Sequence, residues 1–261
     1  MSGLARLINK VFFILRRGKP RLAWKLVVLN LGVLLLRRTP LFRQVEIQVT
    51  FACNLCCVHC SAAHFGHTAD TLTLGDYRDI ARQCRRHRVP MVSFTGGEPL
   101  VHSNLEDIIR VFDTASTLIS ITTNGTLLTR ERAVSLKAAG VDSFVISLDG
   151  PDAASNNAIR GQGTFEKILA AVHMARGHGF FVMLIHTLSH HSIRSGDFDR
   201  LIALAQSMNV PLHVSLVSPT GNLSGGGAAD DFLLTADDIA LLDRRQAEHP
   251  FLRRDLDGNY A

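Results

Sequence analysis

Four cysteines crowd into eight residues, in the run Cys53-Asn54-Leu55-Cys56-Cys57-Val58-His59-Cys60. Three of them, Cys53, Cys57 and Cys60, are spaced so that their thiolates can wrap one corner of a cube-shaped iron–sulfur cluster and leave the fourth iron without a protein ligand. An open iron can bind and split a small molecule, whereas a fully ligated cluster only passes electrons. The same residues admit two other readings. All four thiolates could hold zinc, although zinc ligands usually arrive as two pairs on separated hairpins. Alternatively, Cys56 could complete a saturated electron-transfer cluster. The fifth cysteine, Cys84, lies alone on a predicted helix and reads as a small buried residue. An odd, clustered set of five makes a poor disulfide framework and a good metal site, which points to a reducing, cytoplasmic compartment.

The elements that must position those thiols can be read from residue 43 onward. Apolar strand-like runs fall at 45–51, 91–94, 118–122, 143–147, 180–185 and 212–217. Helical patterns fall between them, at 74–87, 104–115, 130–139, 165–178 and 196–208. Thr73 followed by Asp76 predicts a capped helix start, and Gly140 and Gly179 predict helix stops. Alternation with short loops implies a parallel sheet with right-handed crossovers. Six strands fit an incomplete barrel better than a doubly wound sheet. The expected fold class is therefore α/β, an incomplete parallel (β/α)6 barrel (a partial TIM barrel) with an N-terminal helical leader. The expected division is a leader at 1–42, a barrel at 43–223, and a linker with a C-terminal helix at 224–261.

In a parallel barrel, chemistry gathers at the carboxyl ends of the strands. Here those ends carry the cysteine loop, then Thr95-Gly96-Gly97-Glu98-Pro99, then Thr122-Thr123-Asn124-Gly125. Next come Ser147-Leu148-Asp149-Gly150, His186-Thr187 and Ser218-Pro219-Thr220-Gly221. Taken singly these are weak signals. Gly96-Gly97 reads as an ordinary turn with Glu98 a solvated acid, and Ser147 and Asp149 read as strand-closing residues. His59 reads as a packing residue of the cysteine loop, and the other histidines as loop or core residues.

Taken together, the CxxxCxxC loop, the Gly-Gly-Glu-Pro run and the Ser-Leu-Asp-Gly run resemble the radical S-adenosylmethionine (radical SAM) enzymes over about residues 43–223. Cys-Asn-Leu-x-Cys-x-His-Cys and the later Arg160-Gly161 are similar to the SPASM-type subset that modifies peptides or tetrapyrroles. The resemblance implies one [4Fe–4S] cluster and S-adenosylmethionine as cofactors, with Cys53, Cys57 and Cys60 as cluster ligands. It implies reductive cleavage to a 5′-deoxyadenosyl radical, which abstracts hydrogen from an unidentified peptide, tetrapyrrole or lipid-linked substrate. Gly96, Gly97 and Glu98 would then contact the methionine ammonium. Ser147 would touch the ribose or carboxylate, and Arg160 would pair with the carboxylate through its fork. Asn124 and Thr187 would line the site. A reductant such as flavodoxin or ferredoxin is implied as a partner.

Three departures limit the likeness. Asn156-Asn157 stands where the subset often has His-Asp, and Asn222 follows Gly221 where relatives often have Arg. No cysteine follows Cys84, where the subset usually continues into an auxiliary-cluster region, so the sequence reads as either a natural short form or an incomplete chain, with a single cluster expected here. The alternative function is a non-catalytic iron–sulfur or zinc-binding scaffold.

Charge is unevenly spread. Residues 1–45 hold ten Lys or Arg and no acid. That leaves 18 of the 28 basic residues against all 23 acidic ones, a balance of −5. A nucleic-acid partner is not expected, since it would call for basic residues across a folded face. The uncharged stretch at 26–36 is too short to span a bilayer, and no signal-peptide cleavage pattern follows it. Residues 4–38 read equally as helices packed on the barrel or as an interfacial pair giving peripheral contact with an anionic membrane. The second reading favours a membrane-proximal substrate.

Overall fold

The computed structural model describes residues 3–16, 18–36, 43–65, 72–225 and 231–254. Seven parallel strands lie side by side in chain order: β1 (Val45–Thr50), β2 (Met91–Gly96), β3 (Leu118–Thr123), β4 (Ser143–Ser147), β5 (Phe181–Leu188), β6 (Leu212–Leu216) and β7 (Leu252–Arg254). Strict neighbour order with helical crossovers is the topology of an open (β/α) barrel, because a doubly wound sheet would reverse direction midway. The six expected strands are all present. The seventh carries a single apolar residue, Leu252, followed by two arginines, so periodicity could not reveal it.

The helices follow from their caps. Thr73 accepts from the Asp76 amide and Asp76 returns a bond to the Thr73 amide, opening α3 (Leu74–Arg86) with a reciprocal capping box. Gly140 ends α5 (Arg130–Ala139) in the left-handed region. Between these lies α4 (Leu105–Arg110), shorter than its pattern suggested. Beyond β4 come α6 (Ala153–Arg160) and α7 (Thr164–Gly177), and beyond β5 come α8 (His190–Arg194) and α9 (Asp197–Ser207). The last helix, α10 (Ala236–Glu248), leads into β7. α6 and α8 have weak apolar patterns and went unanticipated; each is set by a capping side chain, Asp152 and Ser189 respectively.

Alternate residues of the strands face opposite ways. Val92, Phe94, Ile119, Ile121, Phe144 and Ile146 are fully buried within the main apolar core, which also takes in Leu105, Ile109, Leu136 and Ile168 from the helices. On the other face Ser93, Ser120 and Ser143 align in register across β2, β3 and β4. Small side chains there leave room inside the barrel.

Two further helices, α1 (Gly3–Arg16) and α2 (Pro20–Leu36), form a hairpin against the amino ends of the strands. Ile14, Leu22 and Ala23 bury against Leu118, with Met91 alongside. Phe13 meets Phe181 edge to face at 5.4 Å. Lys19 at the hairpin turn donates to Thr117 O (3.0 Å) and pairs with Asp142 Oδ2 (2.5 Å). The α1–α2 hairpin thus packs on the barrel floor. No helix among the described residues is long and apolar enough to cross a membrane.

Candidate functional site

The opposite, carboxyl end of the strands opens into a cavity of about 230 Å³. Cys53, Cys57 and Cys60 line it, together with Gly96, Gly97, Asn124, Ser147, Arg160 and Thr187. Cys56 does not line it and is exposed to solvent. Cys84 is buried on α3, far along the chain from this loop.

The cysteine loop is clamped from three sides. The Val58 amide donates to Ile159 O at the end of α6 (3.0 Å). The loop after β6 supplies Asn222, whose backbone N–H donates to Cys60 O (3.1 Å) and whose Nδ2 donates to Cys57 O (2.8 Å). On the third side the loop leaves β1 against Gly96 and Gly97. The Gly97 and Glu98 amides donate to Thr50 O (2.8 Å) and Ala52 O (2.9 Å). A Cβ on Gly96 would stand 2.1 Å from Thr50 O, and one on Gly97 would stand 2.4 Å from Ala52 O, so neither position admits a side chain. These glycines decide how closely the cysteine loop approaches β2.

Glu98 lies elsewhere than its motif suggested. It is fully buried and is not among the residues lining the cavity. Its Oε1 accepts from the Leu100 amide (3.0 Å) and the Thr123 hydroxyl (2.7 Å), and its Oε2 accepts from the Asn124 amide (2.6 Å). Burial raises its pKa, with those three donors working against the shift. The reading of a solvated acid is corrected. The carboxyl clips the end of β3 to the turn after β2. Asn124 in turn donates to Asn54 Oδ1 (2.9 Å) and accepts from the Thr126 amide (2.9 Å) and hydroxyl (2.7 Å), binding the third loop to the first.

On the far side of the mouth Asp149 is a hub. Its Oδ2 meets Arg160 Nε (2.6 Å) and His59 Nε2 (2.6 Å). Its Oδ1 accepts from the Thr187 amide (2.9 Å) and faces His186 Nδ1 (3.1 Å). Burial opposes ionisation, yet Arg160, His59 and His186 together hold the carboxyl well below the usual carboxylate range. An ionised carboxylate only accepts, so the facing nitrogens of His59 and His186 carry protons. The Asp149 amide donates to Asn156 Oδ1 (3.1 Å), and Asn156 Nδ2 donates to Thr164 (2.9 Å). Asn156 thereby joins β4 to the α6–α7 corner, which is the local pairing its departure from the His-Asp pattern had left open.

Sequence reasoning missed His59, Asp149 and His186 as a connected group. One signal was present. Val182, Leu184, His186 and Leu188 form the buried phase of β5, so a histidine occurred where only apolar residues were expected.

The donor set suits a polynuclear centre. Burial pushes the Cys57 thiol up to about 11; Arg160 offsets part of this, while Asp149, Cys53 and Cys60 add to it. Cys53 is raised likewise, first by burial, and Glu98 and Cys60 contribute. Thiols that oppose one another's ionisation fit a cationic metal centre that takes them as thiolates. Among the described residues, no three His, Cys, Asp or Glu side chains stand close enough to hold a single metal ion. A cubane, which takes one thiolate per iron, accommodates cysteines spread around a cavity.

Residues 47–204 match the Radical SAM superfamily model, and the chain belongs to that superfamily. Its family cofactors are a [4Fe–4S] cluster and S-adenosylmethionine. The AdoMet-dependent heme synthase of Nitratidesulfovibrio vulgaris is 30% identical over 190 residues, covering 72% of this chain and 51% of that protein. The mycofactocin maturase MftC of Mycolicibacterium smegmatis is also 30% identical over 190 residues, covering 73% and 48%. The crystal structure of Streptococcus suis SuiB bound to S-adenosylmethionine superposes with a TM-score of 0.65 at 15% identity, over 89% of this chain and 54% of that one, a likeness of fold. The chain spans about half the length of the curated relatives it matches.

Proposed function

We propose that this chain is the cluster-binding barrel of a radical SAM enzyme, with Cys53, Cys57 and Cys60 as the three cluster ligands. The observation that carries the reading is that these three cysteines line one cavity with Arg160, Gly96 and Gly97, whereas Cys56 is exposed. When bound, the reduced cluster supplies the electron that cleaves S-adenosylmethionine to a 5′-deoxyadenosyl radical.

The protein's part is to hold and to orient. Gly96 and Gly97 line the cavity, where a backbone carbonyl would suit a methionine ammonium. Arg160 is suited to its carboxylate, and Asp149 fixes the guanidinium from behind. Ser147 and Asn124 offer polar contacts on the remaining wall. Glu98, already engaged by three donors, acts by positioning the Asn124 loop. The relatives differ in what they are named for, a heme synthase and a maturase, so the substrate is proposed only as an organic molecule bearing an unactivated C–H bond. A flavodoxin or ferredoxin would supply the electron.

Anaerobic reconstitution should load about four iron atoms per chain with iron–sulfur visible absorption. Reduction with S-adenosylmethionine should then yield 5′-deoxyadenosine. Cys57→Ala should lose both the absorption and the product, and Cys56→Ala should keep both. Product from the Cys57 variant would overturn the ligand assignment, and a colourless zinc protein would overturn the reading as a whole.

A further inference from the structure

The floor of the barrel carries a surface that cofactor binding does not use. α1 and α2 bury one side against the strands, yet their outward sides are apolar as well. Ile8, Phe12 and Leu15 recur at helical spacing and form one stripe on α1; Trp24 and Leu31, two turns apart, share a stripe on α2. All five are exposed, Phe12 by 60% and Trp24 by 69%. Large apolar side chains grouped in this way mark an interaction face.

Charge selects the partner. Residues 1–45 hold ten Lys or Arg and no acid, and Arg16 and Arg21 are exposed on the hairpin itself. An apolar stripe with a cationic margin fits an anionic lipid surface, where rings enter the acyl boundary and cations stay among the phosphates. A second copy of this chain would set the same positive excess against itself.

We propose that the α1–α2 hairpin seats this chain on an anionic bilayer with the cofactor cavity facing away from the lipid. The orientation follows from topology. The hairpin packs against Met91, Leu118 and Phe181, each the first residue of its strand, whereas the cavity opens at the strands' carboxyl ends. At about 3.3 Å per residue, the strands hold the two ends roughly 20 Å apart. The membrane-proximal substrate suggested by the leader is thereby narrowed to one that reaches the site from the aqueous side.

Trp24 is the only tryptophan in the chain and reports directly. Phosphatidylglycerol-containing vesicles should shift its emission to the blue, and brominated lipid should quench it. Pure phosphatidylcholine vesicles should bind roughly tenfold more weakly or worse. Phe12→Ser with Leu31→Ser, both outward-facing, should lower vesicle partitioning by roughly tenfold with thermal unfolding unchanged. Hydrogen exchange on the vesicle-bound chain should protect residues 3–36 and leave residues 95–99 and 147–150 as in solution. No binding to anionic vesicles, equal binding to neutral ones, protection at the cavity loops, or a vesicle-free oligomer that shields Trp24 would each overturn the proposal. None of these readouts depends on the cluster or on radical chemistry.

Discussion

Two buried carboxylates flank the mouth of the barrel, equally hidden from water and opposite in electrical character. Glu98, just beyond β2, is surrounded by neutral donors: two backbone amides and a hydroxyl. Asp149, just beyond β4, is surrounded by an arginine and two histidines. Burial raises the first, whereas the Arg160 guanidinium and the hydrogen-bonding imidazoles of His59 and His186 hold the second low despite its burial. Concealment therefore does not decide ionisation; the partners do. The β2 flank is a hydrogen-bonded clip on backbone. The β4 flank is a charge anchor that gathers the cysteine loop through His59, α6 through Arg160, and β5 through His186 and Thr187.

The sharpest way to break this contrast is Asp149→Asn. It strands the buried Arg160 guanidinium, and denaturant unfolding should register a loss of about 3–5 kcal/mol. Adding Arg160→Gln to that variant should cost much less than Arg160→Gln alone, with coupling of about 1 kcal/mol or more. Strict additivity would mean that the hub is not one unit.

Glu98→Gln should cost less, about 1–3 kcal/mol, because the new amide cannot accept from the Asn124 N–H. Equal costs at the two sites would erase the distinction.

The pH dependences should run in opposite directions. The Asp149 pKa is lowered in the folded state, so its contribution is complete above the unfolded value of about 3.9 and is lost as pH falls through the folded value. The penalty of Asp149→Asn should shrink in acid. The Glu98 pKa is raised, so its contribution is complete below about 4.3 and is lost as pH rises through the folded value. The penalty of Glu98→Gln should be largest in acid and should shrink as pH rises. Unfolding curves of both variants across the acid range would test the signs.

The smallest effect belongs to the Asn222 clamp on the cysteine loop. Asn222→Ala removes one neutral, solvent-exposed donor to Cys57 O and should cost about 1 kcal/mol or less. It should also slow cluster loading in reconstitution if the clamp shapes the loop.

Much of this molecule is encoded in short stretches of chain. Thr73 with Asp76, the Gly140 stop and the six apolar runs each depend on local dihedral preference and periodicity, which neighbours in sequence suffice to express. The cysteine spacing is equally local, and so is the Gly-Gly pair, whose missing side chains let β1 and β2 close together. What neighbours cannot express is which distant group meets which. Cys56 and Cys57 are adjacent and chemically identical, yet only the second lines the cavity, in a loop held by Ile159 and Asn222. Asp149 finds His186 and His59 at separations of 37 and 90 residues, and Glu98 is engaged by its own turn at Leu100 and by the end of β3 at Thr123 and Asn124. β7, with one apolar residue, exists because β6 presents an edge to pair with. A carboxylate's lone pairs and a strand's unpaired edge are satisfied by whatever strand order and loop packing bring within about 3 Å, and that proximity is a property of the assembled barrel alone.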